Sequence, residues 1–412
     1  MKRHNAVDWE AVQKNVGRYT GQWTDPALHG QESNRLPDTA LMGNGDIGVS
    51  SGGNANEKTF YIGKGNFWTV TGQDGNTVTG SVRTVGGITL KAAGKLRNRT
   101  HGGFSETQDI LRAEVRTVQT IADAELHIKT WTSATENIIV MEITNNGAVQ
   151  VELSVVPFVR KGLPVSAAVY GDIALVTRDT ADPMGINAVF FASEEVRVKA
   201  WRSRAAIAAK VIGARVTEAR SGGEDNGLLF NWSVTKGGDA GRHVAAISFA
   251  VLAGQTVYVV TAVTGGGKTY DFYGKLNPGQ RDPVGDARDI LSGFSSERDI
   301  RRLREAHDAW WNEYWRASYV DIISGNGGDT DLETVQRYYY GAQYMLACTA
   351  REGKVAPGLY GVWVTGDNPA WNGDYTLNYN FIATWYGAGS SNRASFIRPA
   401  ADAMADFMQE GY

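Results

Sequence analysis

The sequence predicts a multidomain β + α chain: a large antiparallel β-sandwich, then a helical linker, then the opening helices of an α domain. Three observations carry this. From about Pro37 to about Thr264 the apolar residues alternate with a period of two, and clusters of turn residues separate the runs. After Pro283 the apolar spacing becomes that of amphipathic helices. The 49 glycines supply the turns that many short strands need. At 412 residues the chain is too long for one ordinary domain, and its 42% hydrophobic content is that of a globular protein.

The strands are read from alternation. It is clear in Glu125–Trp131, Asn137–Ile143, Gln150–Val155, Gly171–Thr177 and Val244–Val251, with turns such as Asn145-Asn146-Gly147 and Ser221-Gly222-Gly223 between strands. Many strands without intervening helices indicate a large antiparallel sandwich. Gly285 to Ser292 and Ser296 to Trp315 then read as helices, the second opened by Ser296 as N-cap with Asp299 in the first turn. Tyr319 to Ile323 is a short strand or an extended link. Asp331 to Ala350 is an amphipathic helix rich in aromatics, ending near Gly353. Ser395 to Gln409, rich in Ala and Met, is another helix, expected to pack on a neighbour. No short-period repeat of solenoid type is visible.

Composition excludes several functions. A net charge of −3 gives no nucleic-acid footprint, and the run from Arg298 to Arg304 is mixed with acids and reads as a solvated helix face. The single cysteine, Cys348, cannot form an intrachain disulfide and reads as a small core residue, so redox chemistry does not fix the compartment. No run is long and apolar enough to cross a membrane as a helix, and no membrane partner is expected. The start, Met1-Lys2-Arg3-His4-Asn5, lacks the apolar segment of a signal peptide. Asn98-Arg99-Thr100 and Asn231-Trp232-Ser233 match the glycosylation sequon, a match that is frequent by chance.

Among possible chemical motifs, Gly265-Gly266-Gly267-Lys268-Thr269 lacks the first glycine of a phosphate loop, a position held by Ala262, and no strong helix follows. It reads as a sheet-end loop. The six histidines are scattered and form no paired ligand motif, and no serine sits in a nucleophile elbow. No metal and no cofactor are expected. The informative stretch is Ala356–Trp363 followed by Asn368–Asn380, which mixes tryptophans, tyrosines, carboxamides and carboxylates between turns. Aromatic faces stack on sugar rings, and fixed amides and carboxylates hydrogen-bond sugar hydroxyls. Glycoside hydrolysis needs two carboxylates across the scissile bond. Here the candidates are Asp367 and Asp374. Asp374 either faces a pocket or caps the following helix through backbone N–H groups. Asn378 and Asn380, two apart, share a face if the segment is extended and then can hold one water or one hydroxyl.

The stretch Trp371-Asn372-Gly373-Asp374-Tyr375-Thr376-Leu377-Asn378-Tyr379-Asn380 resembles the W-x-x-D-Y-x-x-N-x-N segment of family 95 glycoside hydrolases, the inverting α-L-fucosidases and α-L-galactosidases. Pro357–Trp363 looks like that family's P-x-x-L-x-G-x-W, and Gly43-Asn44-Gly45-Asp46-Ile47-Gly48 resembles its G-N-G-x-x-G turn. His307-Asp308-Ala309-Trp310-Trp311 resembles the linker helix of a related branch, as does Asn368-Pro369-Ala370-Trp371, so the likeness is to that branch rather than to the fucosidases themselves.

The resemblance implies an N-terminal β-supersandwich over residues 1–280, a helical linker over 281–328 and the start of an (α/α)6 barrel over 329–412. It implies hydrolysis of a terminal α-linked sugar, of the L-fucose or L-galactose type, with inversion. The partner would be an oligosaccharide or glycan, and the setting extracellular or periplasmic. Asn378 and Asn380 would help activate the water. Asp374, Trp371, Tyr375 and Trp363 would line the sugar pocket. Thr376 departs from the family's usual histidine. In that family the acid and base carboxylates lie on later helices, so this chain is expected to lack them and to show little turnover. A non-catalytic carbohydrate-binding protein, or an inactive fragment, is the alternative.

Overall fold

The computed structural model describes residues 8–26, 37–54, 56–72, 78–93, 103–160, 164–180, 201–225, 242–271, 273–322, 330–367 and 369–410. Both sequons, and Asn368, lie outside them.

Two antiparallel sheets form the N-terminal sandwich. One has nine strands in the order Thr20–Trp23, Phe104–Asp109, Glu114–Ile121, Ala124–Thr132, Ile138–Asn145, Thr256–Gly265, Arg204–Ile212, Ile173–Asp179 and Val165–Tyr170. The other has seven: Val216–Asp225, Arg242–Val251, Val151–Arg160, Val78–Ala92, Glu57–Gly72, Ile47–Asn54 and Leu41–Gly43. Phe60, Ile62, Ile88, Leu90, Ile247 and Phe249 of the second sheet meet Leu126, Ile128, Met141, Ile143, Val257 and Val259 of the first in one buried core.

Strand parity explains why the nine-stranded sheet reads as almost continuously apolar. Leu126 and Ile128 point into the sandwich, while Trp131 points to the outer face; Ile139 and Met141 point in, while Ile138 and Val140 point out. The outer face is buried under two helices, α2 (Pro283–Ser292) and α3 (Glu297–Arg316), through Ala287, Leu291, Phe294, Ile300 and Leu303. These follow an N-terminal helix, α1 (Trp9–Gly17). Pro283 occupies the first turn of α2, where its missing N–H costs nothing, and the Asp282 carboxylate accepts from the Gly285 N–H at 2.9 Å. At the start of α3 the Asp299 carboxylate accepts from the N–H groups of Ser295 and Ser296, both at 3.0 Å. The hydrogen bond from the Ser295 backbone, with those from Ser296, holds its pKa down to about 2.

Residues 318–322 form no strand, and Ile323, the last residue of the expected link, lies outside the described residues. Then come α4 (Thr330–Thr349), two short helices, α5 (Tyr379–Ala383) and α6 (Tyr386–Ser390), and α7 (Arg398–Glu410). The expected helix from Ser395 begins as a 3-10 turn, Ala394–Ile397, and turns regular only at Arg398. Pro399 has no N–H and is tolerated only within the first turn, which sets that boundary. A helix after Asp374 is one reading of the sequence; it starts only at Tyr379, and the second short helix, Tyr386–Ser390, was not expected. Cys348 is fully buried on α4, with burial pushing its thiol up to about 12.

The sandwich and α3 are joined by a charged contact. Glu114, almost wholly buried, accepts from Arg304 at 2.6 Å and from Arg116 at 2.5 Å. His307, one turn on, is fully buried against Trp131 with ring centroids 5.0 Å apart. Its Nε2–H donates to the Arg112 carbonyl at 2.9 Å. Burial lowers its pKa from the ordinary 6.5 to about 4, so it is neutral in the fold. In the unfolded chain it takes a proton below pH 6.5, so stability falls as the pH drops from there towards the folded value. Comparing urea unfolding of the wild type with His307→Gln, the wild type is expected to lose roughly 2 kcal/mol more between pH 6.5 and about pH 5. A difference that stays constant with pH would show that His307 carries no such burden.

Candidate functional site

The segment 356–380 lies over the edge of the seven-stranded sheet. Glycine permits the approach. A Cβ on Gly48 would come within 2.4 Å of the Val362 carbonyl oxygen. Gly45, at φ +85°, donates its N–H to the Cys348 carbonyl at 2.8 Å, seating the Gly43–Gly48 turn on the end of α4. Asn44 stitches this turn together. Its Oδ1 accepts from the Asp46 and Ile47 N–H groups at 3.1 and 3.0 Å, and its Nδ2 donates to the Glu136 carbonyl at 2.9 Å.

Trp363 is a core residue and not part of a sugar platform. It is 3% exposed, packs with α1, α3 and α4, and donates its indole N–H to the Met42 carbonyl at 2.8 Å. Both ring faces are therefore used inside the fold. Asp367 is likewise structural: its carboxylate takes both ends of the buried Arg178 guanidinium, at 2.6 and 2.5 Å, and its own carbonyl accepts from Arg83. Burial pushes its carboxyl up, but the adjacent Arg178 outweighs this and holds it below the ordinary value.

The remaining predicted residues share one short, conformationally unusual segment. Trp371, Asn372, Thr376 and Asn378 all have positive φ (51°, 57°, 41° and 93°) though none is glycine. Such conformations cost of order 1–3 kcal/mol each and cluster at binding and catalytic sites. Trp371 is 77% exposed. Tyr375 is half-buried against Trp68 and Phe381, and burial, with Asp406 nearby, pushes its hydroxyl up to about 12.

Two details of the sequence reading are corrected here. Asp374 does not cap the helix that follows: its Oδ1 accepts from the Thr376 N–H at 2.9 Å and from the Thr376 hydroxyl, closing a local turn. Asn378 and Asn380 do not lie in an extended segment. Asn378 is the N-cap of α5 and Asn380 sits in its first turn, both exposed. Their side chains are therefore set by a helix start and not by strand alternation.

None of the six predicted residues lines a cavity of about 630 Å³ that opens between α3, the end of α4 and the segment before α7. Trp310, Glu313 and Tyr314 reach it from one face of α3, and Arg351, Glu352 and Arg393 from beyond the ends of α4 and α6. The three-and-four spacing on α3 was the available signal. The arginines, 42 residues apart, gave none.

Residues 316–412 match the glycosyl hydrolase family 95 catalytic domain. The strained segment lies inside that match. No curated protein matches the chain. In fold it is similar to a solved protein from the human microbiome assigned as a kojibiose phosphorylase, with a TM-score of 0.53 and 12% identity over 86% of this chain. A family GH92 α-mannosidase from Bacteroides thetaiotaomicron is also similar, with a TM-score of 0.42 and 14% identity over 84% of this chain. The chain spans 44% and 43% of those two proteins. The first likeness supports an antiparallel sandwich followed by helices, and the catalytic-domain match makes the chain glycoside-hydrolase-like.

Proposed function

We propose that the chain forms part of a glycoside hydrolase acting on a terminal α-linked sugar of the L-fucose or L-galactose type, with inversion. Residues 1–280 would be the supersandwich, 281–328 the linker and 329–412 the start of the catalytic barrel. The observation that carries this is the overlap of the catalytic-domain match with the segment 371–380, where the exposed Trp371 indole and the Asn378 carboxamide stand on left-handed backbone, with the Asp374 carboxylate and the Asn380 carboxamide beside them. In this reading Trp371 stacks on the sugar, Asp374 and Tyr375 border it, and Asn378 and Asn380 hold the attacking water. Trp363 is withdrawn from the set because it is buried. The paired acid and base are not assigned to any residue described here.

The test is release of p-nitrophenol from a panel of glycosides, including the α-L-fucoside and α-L-galactoside. The wild-type chain would be compared with Asn378→Ala and Asn380→Ala. The chain is expected to show little turnover, and any rate it does show should fall by at least about 10²-fold in either variant. Turnover that survives both substitutions would remove the asparagines from the mechanism. Binding of fucose or galactose without turnover would favour the second reading, a carbohydrate-binding protein, for which the exposed face of Trp371 is the supporting observation.

A further inference from the structure

We infer that the cavity beside α3 is an anion site, taking the carboxylate or phosphate of a sugar-sized ligand. Two cations in its wall have no anionic partner. Arg351 is 9% exposed and Arg393 is 2% exposed. Arg351 donates to the carbonyls of Ala347, at 2.9 Å, and Ala134; Arg393 donates to those of Ser391 and Tyr314, at 2.7 and 3.1 Å. Among the described residues no carboxylate lies within ion-pair distance of either, and Arg351 Nη2 and Arg393 Nε are closed off from solvent with no hydrogen-bond partner, so they mark uncompensated buried charge and are not themselves the atoms a ligand would touch. Elsewhere in the fold the buried Arg178 is matched by Asp367 and the half-buried Arg304 by Glu114. A buried charge left without a counter-charge is costly, and a bound oxyanion would offset it. Burial holds the Arg351 pKa at about 10, still far above neutrality, so it stays charged.

Stacking decides between an anion and a neutral sugar. The Arg351 guanidinium lies 3.6 Å over the Trp310 ring and Arg393 lies 4.1 Å over Tyr314. The two rings are themselves stacked, with centroids 5.5 Å apart and planes 8° from parallel. Phe396 packs edge-on against both. The ring faces a neutral pyranose would use are thus engaged, whereas the guanidinium planes are fixed in orientation. The other charges facing the cavity are Lys354, which leans on Asp46 at 3.5 Å, and Glu313 and Glu352. Asp46 is answered by the buried Lys64 at 2.5 Å. Glu313 and Glu352 are exposed, so water and salt screen them more than they screen the arginines. At about 630 Å³ the cavity exceeds what bare phosphate needs and lies in the range of small-ligand sites.

Calorimetry on the whole 412-residue chain tests this with D-glucuronate, inorganic phosphate and neutral D-glucose. Heat from glucuronate, from phosphate or from both, weakening as salt is added, is the expected result, and glucose should be silent. The tighter of the two names the oxyanion. The exposed positions place the ligand without threatening the fold. Glu313→Gln with Glu352→Gln should tighten binding about threefold, and Lys354→Gln should weaken it about as much. Glucose binding as tightly as the anions, or no heat from either anion at millimolar concentration, would overturn the proposal. Affinities that none of these variants moves would place the anion elsewhere and overturn it equally.

Discussion

Asp367→Ala is expected to destabilise the chain by about 3–5 kcal/mol, because it leaves a buried guanidinium without its counter-charge. The Arg178 side chain is 0% exposed, and its Nη1 and Nη2 meet Asp367 Oδ1 and Oδ2 at 2.6 and 2.5 Å. A third hydrogen bond, to the Thr84 carbonyl at 2.6 Å, would remain. Arg178 sits on the strand next to the edge of the nine-stranded sheet and Asp367 on the segment leading to residues 371–380, so this pair pins the candidate site to the sandwich. Urea unfolding measures the loss. The double variant Arg178→Met with Asp367→Leu should lie nearer the wild type, since removing both charges leaves no unpaired ion. The pH dependence gives a second check. The folded carboxyl is held below its ordinary value of 3.8, so its contribution is complete above that value and is lost as the pH falls through the folded one. Asp367→Ala should therefore lose less on acidification than the wild type does. A cost under about 1 kcal/mol would mean that the pair adds no more than an exposed one.

The parts of the fold visible in the sequence were those set by local rules. Alternation in Glu125–Trp131 assigned the strand, and the period change after Pro283 assigned the helices, because burial on one face imposes its period on the sequence. Ser296 with Asp299 marked the start of α3 because the cap is formed within a few residues. What failed depended on distant partners. Trp363 and Trp371 stand in similar aromatic, turn-rich surroundings, yet one is buried because the Met42 carbonyl, 321 residues away in sequence, meets its indole N–H. Asp367 read as a candidate for catalysis because nothing local announced Arg178, 189 positions upstream. The left-handed backbone at Trp371 and Thr376 was illegible for a different reason: neither residue type favours it, so only the packed structure imposes it. The two asparagines were correctly tied to one segment, but the helix start at Tyr379 replaced the assumed alternation.

Tryptophan count alone could not separate core from platform, and paired substitutions do. Trp311→Ala is expected to cost about 3–5 kcal/mol. The indole is 1% exposed and lies at the centre of an aromatic cluster, stacked on Tyr344 with centroids 5.3 Å apart and on Trp315 at 6.1 Å, with Tyr314 edge-on at 5.7 Å. It joins α3 to α4 and to α1, so its removal leaves a cavity that three helices must close together. Burial of this size has no local substitute, and the denaturant midpoint should fall with an unchanged slope. Trp371→Ala should leave the midpoint within about 0.5 kcal/mol, because an indole 77% exposed has little burial to lose. Under the proposed function it should instead remove any heat measured with fucose or galactose. If Trp371→Ala cost about 2 kcal/mol or more, the indole would be covered in solution, and its role as a free stacking face would fall. If Trp311→Ala were tolerated within about 1 kcal/mol, the linker helix would not be fastened to α4 through this cluster.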